Sequence, residues 1–243
     1  MELNILFFVL LLLVAFLYSS VGHGGASGYL ALMALFSFSP DVMKPTALLL
    51  NIFVSAIAFF QFYRAKHFNW KMFAPLAITS IPAAFIGGLM VIEGSVYKQI
   101  LGVLLLLPVL RFVFFSKINV ENKKPFSVKG LLLLGGSIGL LSGMIGIGGG
   151  IILSPILLLL HWSDQKQTAA ISALFIFVNS FAGLSGQIAK GISFSNEMYS
   201  FVGVAVMGGV MGAYLGAMRF DQKILMRILA SVLLIASVKL LLV

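Results

Sequence analysis

The 243-residue chain contains no cysteine, which removes disulfide bridges, thiolate nucleophiles and cysteine metal sites together. Charge is nearly as scarce. Asp, Glu, Lys and Arg make up 9% of the residues, with seven acids and three histidines in all. A soluble domain carries roughly a quarter of its residues as charges, so this composition cannot coat a globule for water. His23, His67 and His161 fall in separate loops without HExxH spacing, and the metallohydrolase pattern is therefore missing. No acid lies deep in an apolar run, since Asp41, Glu93, Asp164, Glu197 and Asp221 sit at ends or in loops. That argues against a proton pump built on a buried carboxylate relay. There is no Walker A motif.

What the chain does have is apolar length. Hydrophobic residues make up 60%, and runs such as Asn4–Val21, Lys44–Tyr63 and Met198–Met218 approach the ~20 residues that cross a bilayer core. The reading is an all-α polytopic membrane protein, with residues 1–243 forming a single transmembrane domain. Met1-Glu2-Leu3-Asn4 has no basic n-region, so the first segment reads as a retained helix rather than a signal peptide. The net charge of +9 sits in short loops beside apolar runs, a pattern of membrane orientation and not of nucleic-acid binding.

Sliding the sequence along itself by 124 residues superposes two halves. Gly22, Gly24 and Gly25 fall on Gly146, Gly148 and Gly149; Ile52-Phe53-Val54 on Ile176-Phe177-Val178; Gly88 on Gly212. The shared, gapless offset predicts two homologous repeats, 4–115 and 130–243, joined by the basic linker 116–129. Repeats of this size are a common architecture of secondary transporters. Residues 4–38 are too long for one crossing, so the chain is expected to turn back near the glycines. Counting the short segments as crossings gives an inverted five-plus-five arrangement, with ten basic residues on the inside loops and Lys44, Lys98 and Lys190 outside. A four-plus-four count moves Lys166, Arg219 and Lys223 outside and weakens the bias, so the positive-inside rule favours five plus five.

The glycine clusters are Gly22-His23-Gly24-Gly25-Ala26-Ser27-Gly28 and Gly146-Ile147-Gly148-Gly149-Gly150. Each glycine costs a helix ~1 kcal/mol relative to alanine, so the first helix of each repeat is predicted to break there. Broken backbone at membrane depth is tolerated only where protein or a water-filled cavity covers it. The next helix begins at once, and its free N–H groups with the helix dipole make an anion site. Gly22, His23, Gly24, Gly25, Ser27, Gly146, Gly148, Gly149 and Gly150 are accordingly candidate substrate contacts. His23 suits either an anion or a coupled proton. By contrast, Gly135, Gly139 and Gly143, and Gly208, Gly212 and Gly216, recur every four residues and read as helix-packing ridges.

Thr46 and Asn51 follow the first short segment, and Ser172 and Asn179 the second. Their hydroxyls and amides are candidate donors to an oxyanion, with hydrogen-bonded helix packing as the competing role.

The duplicated Gly-His-Gly-Gly-Ala and Gly-Ile-Gly-Gly-Gly turns, with Ala169-Ala170-Ile171-Ser172-Ala173-Leu174 and Gly191-Ile192-Ser193-Phe194, resemble the TauE/SafE sulfite exporter family over roughly residues 5–240. The resemblance implies a secondary carrier, not an enzyme, without cofactor or metal, in the bacterial inner (plasma) membrane. Its substrates would be small anions of the sulfite, thiosulfate, sulfonate or sulfoacetate class. Alternating access between the repeats would move them, with a proton or ion as a coupling partner. A permease subunit driven by a soluble energising partner is the alternative. His23 and Ala26 depart from Ile147 and Gly150 in the second copy, and Ala31 stands opposite Pro155, which bears on substrate more than on fold.

Overall fold

The computed structural model describes residues 5–20, 25–114, 123–192, 194–219 and 222–242. These form ten helices and no strand: α1 Ile5–Ser20, α2 Ala26–Leu35, α3 Pro40–Arg64, α4 Trp70–Leu89, α5 Gly94–Phe114, α6 Val128–Ile145, α7 Gly150–Leu159, α8 Gln165–Ala189, α9 Asn196–Arg219 and α10 Gln222–Leu242. Among the described residues, α3, α4, α6 and α8 are long and apolar enough to cross a membrane. At 1.5 Å per residue, the ten-residue α2 and α7 reach only about 15 Å, half of a bilayer core. The chain therefore combines full-length helices with two half-length ones. α6 begins at Val128, so the linker expected over 116–129 ends earlier than its charges suggested.

Local chemistry sets the helix starts. Ser39 precedes Pro40 at the first turn of α3, where a missing N–H costs nothing, and Asp41 and Arg64 lie at the ends that the helix dipole favours. The Asn69 side chain accepts from Lys71 N at 3.0 Å, Ser127 Oγ from Gly130 N at 3.2 Å, and Asp164 Oδ1 from Gln167 N at 2.8 Å. Each is an N-cap that satisfies an orphan backbone donor.

The ends of α1 and α2 meet. Phe7 stacks on Phe38 with ring centroids 5.1 Å apart and lies edge-on to Phe36. The chain thus goes in along α1 and comes back along α2 to the same face. α6 and α7 do likewise, with Gly130 at the start of α6 lying against Trp162 just past α7. The turn-back expected near the glycines is present in both places. The two hairpins open on opposite faces. One face gathers Phe68, Phe126 and Trp162 around Met72, Phe73 and Leu131, together with the ion pair Lys123–Asp164 at 2.6 Å. On the other, Lys44 and Lys190 both reach the Met90 carbonyl, and Lys239 reaches the Leu35 carbonyl at 2.8 Å.

Helices pack through glycine. A Cβ on Gly135, Gly139 or Gly143 would strike the α4 backbone at Leu76, Ser80 and Ala84, and one on Gly208 or Gly212 would strike α1 at Leu12 and Phe16. The four-residue ridges read from the sequence are therefore contact surfaces, and absence of a side chain is what lets the backbones touch. Gly216 lies where side-chain surroundings are not described.

Turn closures recur along the chain. At the end of α2, Phe36, Ser37 and Phe38 donate to Leu32, Ala34 and Met33; at the end of α7, Leu160, His161 and Trp162 donate to Ile156, Leu158 and Leu157. Ala65, Lys66 and His67 close α3 on Gln61, Tyr63 and Phe62, and Lys190, Gly191 and Ile192 close α8 on Gly186 or Gln187, Ile188 and Gln187. The first pair of closures lies 124 residues apart and the second 125, because the α7–α8 loop is one residue longer than the α2–α3 loop.

Candidate functional site

α6 ends at Ile145 and α7 starts at Gly150, leaving four non-helical residues inside the protein. Gly146, Gly148 and Gly149 take φ of +87°, +75° and +77°, the left-handed region that only glycine enters without strain. The segment runs beside α3. A Cβ on Gly146 would lie 2.9 Å from the Lys44 carbonyl, and one on Gly148 would lie 2.7 Å from Asn51 Nδ2. Lys44 and Asn51 are two turns apart on α3, about 10 Å along its axis, so the left-handed turns of the segment run along that stretch of the helix.

The break leaves donors unused. The N–H groups of Ile147, Gly148, Gly149, Gly150 and Ile151 have no hydrogen-bond partner among the described residues, while Gly146 N bonds Ser142 O at 2.8 Å and Leu153 N bonds Gly149 O at 3.0 Å. All five residues are buried. One acceptor is taken by a side chain: the Tyr97 hydroxyl donates to the Ile145 carbonyl at 2.8 Å, at an end of α6 that the break would otherwise strand. Free N–H donors at the positive end of α7 are a setting for negative charge.

Asn51 is fully buried on α3. Its Nδ2 approaches Ser180 Oγ on α8 at 3.4 Å, and its Oδ1 has no partner. Asn179, beside Ser180, spends its Nδ2 on the Phe175 carbonyl at 2.8 Å, and its Oδ1 is also unpartnered. Leaving a buried polar atom unpaired costs about 1–3 kcal/mol, so such atoms mark places where a further group belongs. Asn51, Gly148 and Ser180 thus meet where α3, α8 and the break converge.

The remaining candidates are placed differently. Ser172 shares a hydrogen bond of 2.8 Å with Ser154, which also donates to the Gly150 carbonyl at 2.8 Å; it supports the start of α7. Thr46 donates to the Val42 carbonyl of its own helix at 2.6 Å, so its hydroxyl is already used. Gly149 would clash with Ile138 and Phe175, and Gly150 with Ile176, so both abut apolar packing. In the first half, Gly25 caps α2 and lies under the Tyr29 ring, and Ser27 bonds the Tyr18 hydroxyl at 2.7 Å. Gly22, His23 and Gly24 lie outside the described residues.

Sequence reasoning missed Ser180 and Lys44. Ser55, one turn on from Asn51, bonds the Asn51 carbonyl through its hydroxyl at 2.5 Å. Two apolar grooves lie elsewhere. One of 620 Å³ runs along Ile81, Phe85, Phe177 and Phe181, and one of 350 Å³ along Phe53, Phe181, Leu184 and Tyr199. Both are apolar surfaces of the kind that lipid covers.

Apolar helices of bilayer length, two half-length helices and a buried glycine break define a multi-pass integral membrane protein with discontinuous helices at its centre. The profile of the family described as "Sulfite exporter TauE/SafE" matches residues 7–240. The chain belongs to the TauE/SafE family of membrane transporters. It is 36% identical over 239 residues to a probable membrane transporter protein of Sinorhizobium fredii, covering 97% of this chain and 95% of the relative. A probable membrane transporter protein of Methanocaldococcus jannaschii is 29% identical, over 72% of this chain and 70% of its own length. A third, from Bacillus subtilis, is 24% identical over 94% and 96%. No solved structure matches the chain. Family and relatives are named as transporters, not enzymes, and a small-molecule substrate and a bilayer setting follow.

Proposed function

We propose that the protein is a secondary transporter of a small anion of the sulfite, thiosulfate, sulfonate or sulfoacetate class, held at the α6–α7 break. The observation that carries this reading is the buried row of N–H donors from Ile147 to Ile151, which have no partner among the described residues and lie beside the Asn51 amide. An oxyanion satisfies several such donors at once, at the favourable end of a helix dipole. The glycine cluster before α2, Gly22-His23-Gly24-Gly25 in the sequence, would supply a second half-site, where His23 suits the anion or a coupled proton.

The transport mechanism we assign is alternating access by two inverted repeats, 4–115 and 130–243, within one domain. Support comes from the paired turn closures and from the packing. α4 lies on α6 as α1 lies on α9, α4 on α8 as α3 on α9, and α2 on α10 as α7 on α5. Exchanging the first five helices for the last five returns the same neighbours. The basic residues support five plus five, because Lys66 and Lys71 flank the α3–α4 turn beside Phe68, on the face that holds Lys123 and Lys166, opposite Lys44 and Lys190. With that bias facing the cytoplasm, the protein belongs in a bacterial inner membrane.

Counterflow in proteoliposomes tests the substrate class. Vesicles preloaded with sulfite, thiosulfate or sulfoacetate are expected to accumulate the labelled anion, while vesicles loaded with a neutral sulfone of similar size are not. Equal counterflow of the neutral compound would remove the anion assignment.

A further inference from the structure

On the face that carries Met90, two lysines from different helices converge. Lys44 Nζ on α3 lies 3.4 Å from the Met90 carbonyl and Lys190 Nζ, just past α8, lies 3.5 Å from the same oxygen. Lys44 is buried, with 7% of its surface exposed. A buried ammonium is costly unless it is paired, yet Lys44 has no ion pair. Among the described residues the ion pair is Lys123–Asp164, on the opposite face, and Asp41 one turn earlier on α3 makes none with it. Met90 ends α4, and a helix C-terminus offers only about half a negative charge. Two lysines therefore share one weak carbonyl acceptor, with Asp41 as the nearby acid that forms no ion pair with Lys44.

Lys44 also touches the break. A Cβ on Gly146 would lie 3.2 Å from Lys44 Cα and 3.3 Å from its Cγ. The lysine pair thus sits at the Gly146 end of the break, whose other end meets Asn51. We propose that Lys44 and Lys190 form a second anion site, a recruitment site through which a small oxyanion enters or leaves the Gly146–Gly150 segment from that face. An oxyanion between the two ammonium groups neutralises their repulsion and gives each a charge-assisted partner. From there it passes onto the N–H groups that begin at Ile147. The proposal rests on the reading of the break as the substrate site, but its binding test stands apart from that reading.

The test is sulfite titration of the purified protein in lipid nanodiscs by calorimetry, with sodium chloride held constant, for wild type, Lys44→Met, Lys190→Met, the double variant and Gly148→Leu. Lys190 is exposed and its replacement leaves folding intact, so that variant reports even where Lys44→Met is poorly folded. Wild type is expected to bind with two stoichiometric components. Lys190→Met should weaken one of them at least threefold, the double variant should abolish it, and Gly148→Leu should remove only the other. Titrating vesicles with and without anionic lipid separates a free oxyanion from a lipid headgroup: competition by phosphatidylglycerol at the lysine component assigns the same chemistry to lipid and overturns recruitment of substrate. Unchanged sulfite binding in Lys190→Met and the double variant overturns the lysine site and leaves the break untouched. Loss of both components in Gly148→Leu, with both lysines present, overturns the separate site as well. Loss of the lysine component alone, with Gly148→Leu binding as wild type, keeps the recruitment site and removes the break as the place of substrate.

Discussion

The Asn51 amide lies against Gly148 so closely that a Cβ on the glycine would stand 2.7 Å from Asn51 Nδ2. The same glycine holds φ at +75°. Two independent constraints, backbone hand and the nearness of a polar side chain, therefore exclude any other residue at this point. Gly148→Leu should cut anion flux at least tenfold. Gly191 has an equally left-handed φ of +86° but nothing within 4 Å of a Cβ, so Gly191→Ala should cost only about 1 kcal/mol of backbone strain and keep its flux. Proteoliposome flux of the two variants side by side makes the comparison, and equal losses would show that strain alone is at work.

Asn51→Leu keeps the volume of the buried side chain and removes its amide. Flux should fall at least tenfold while thermal stability stays within a few degrees of wild type, because an unpaired Oδ1 is removed along with one long hydrogen bond of 3.4 Å to Ser180. Normal flux in the leucine variant would assign Asn51 to helix packing.

The glycine ridges make a contrasting prediction about stability. A Cβ on Gly139 meets the Ser80 backbone, whereas Gly203 has nothing within 4 Å. Gly139→Ala should lower the melting temperature clearly, with overpacking of about 1–3 kcal/mol or more. Gly203→Ala should leave it unchanged or raise it, since alanine is favoured over glycine in a helix by ~1 kcal/mol. Scanning fluorimetry in detergent reads both.

Much of this was legible in the sequence for a plain reason. Consecutive glycines in an apolar run cannot stay helical, and glycines at four-residue spacing form one ridge, so the break after Ile145 and the ridge at Gly135, Gly139 and Gly143 could both be read from spacing. The interior of the site was less legible. Asn51 is visible as a polar residue in an apolar run, but Ser180 is one of many serines, and nothing along the chain announces that α8 brings it to within 3.4 Å of the Asn51 amide. Thr46 looks like Asn51 in sequence, yet its hydroxyl folds back on Val42, as threonines in helices often do. Lys44 reads as a loop cation because nothing in its neighbours along the chain announces that the Gly146 backbone will cover it.

Tyr97→Phe tests how the break is sealed. Its hydroxyl donates to the Ile145 carbonyl from a fully buried position, and removing it leaves that acceptor unpaired at a cost of about 1–3 kcal/mol. The variant should melt several degrees lower. An unchanged melting temperature would show that another donor closes α6.

At the opposite face Asp164 links the linker to α8. Burial pushes its carboxyl up, but the Gln167 N–H and the Lys123 ammonium outweigh that and hold it below the usual carboxylate range. Because the folded value is lower than the unfolded one, its contribution is complete above the ordinary carboxylate range near pH ~4 and is lost as pH falls through the folded value. Both partners are about half exposed, so the ion pair contributes only ~0–1 kcal/mol. Asp164→Asn keeps a good N-cap and removes the charge. Its melting temperature should lie slightly below wild type at pH 7 and converge with it near pH 3. A gap that persists at pH 3 would locate the effect in the cap instead.

The central claim is that the transported anion lies on the backbone between Gly146 and Gly150, against Asn51. Its most direct test is a ligand-bound structure in lipid nanodiscs at saturating concentration of the anion that gives counterflow. The account predicts density for one oxyanion within hydrogen-bond distance of at least two N–H groups between Ile147 and Ile151. An anion bound elsewhere, with those five N–H groups bonded to protein alone, would contradict it.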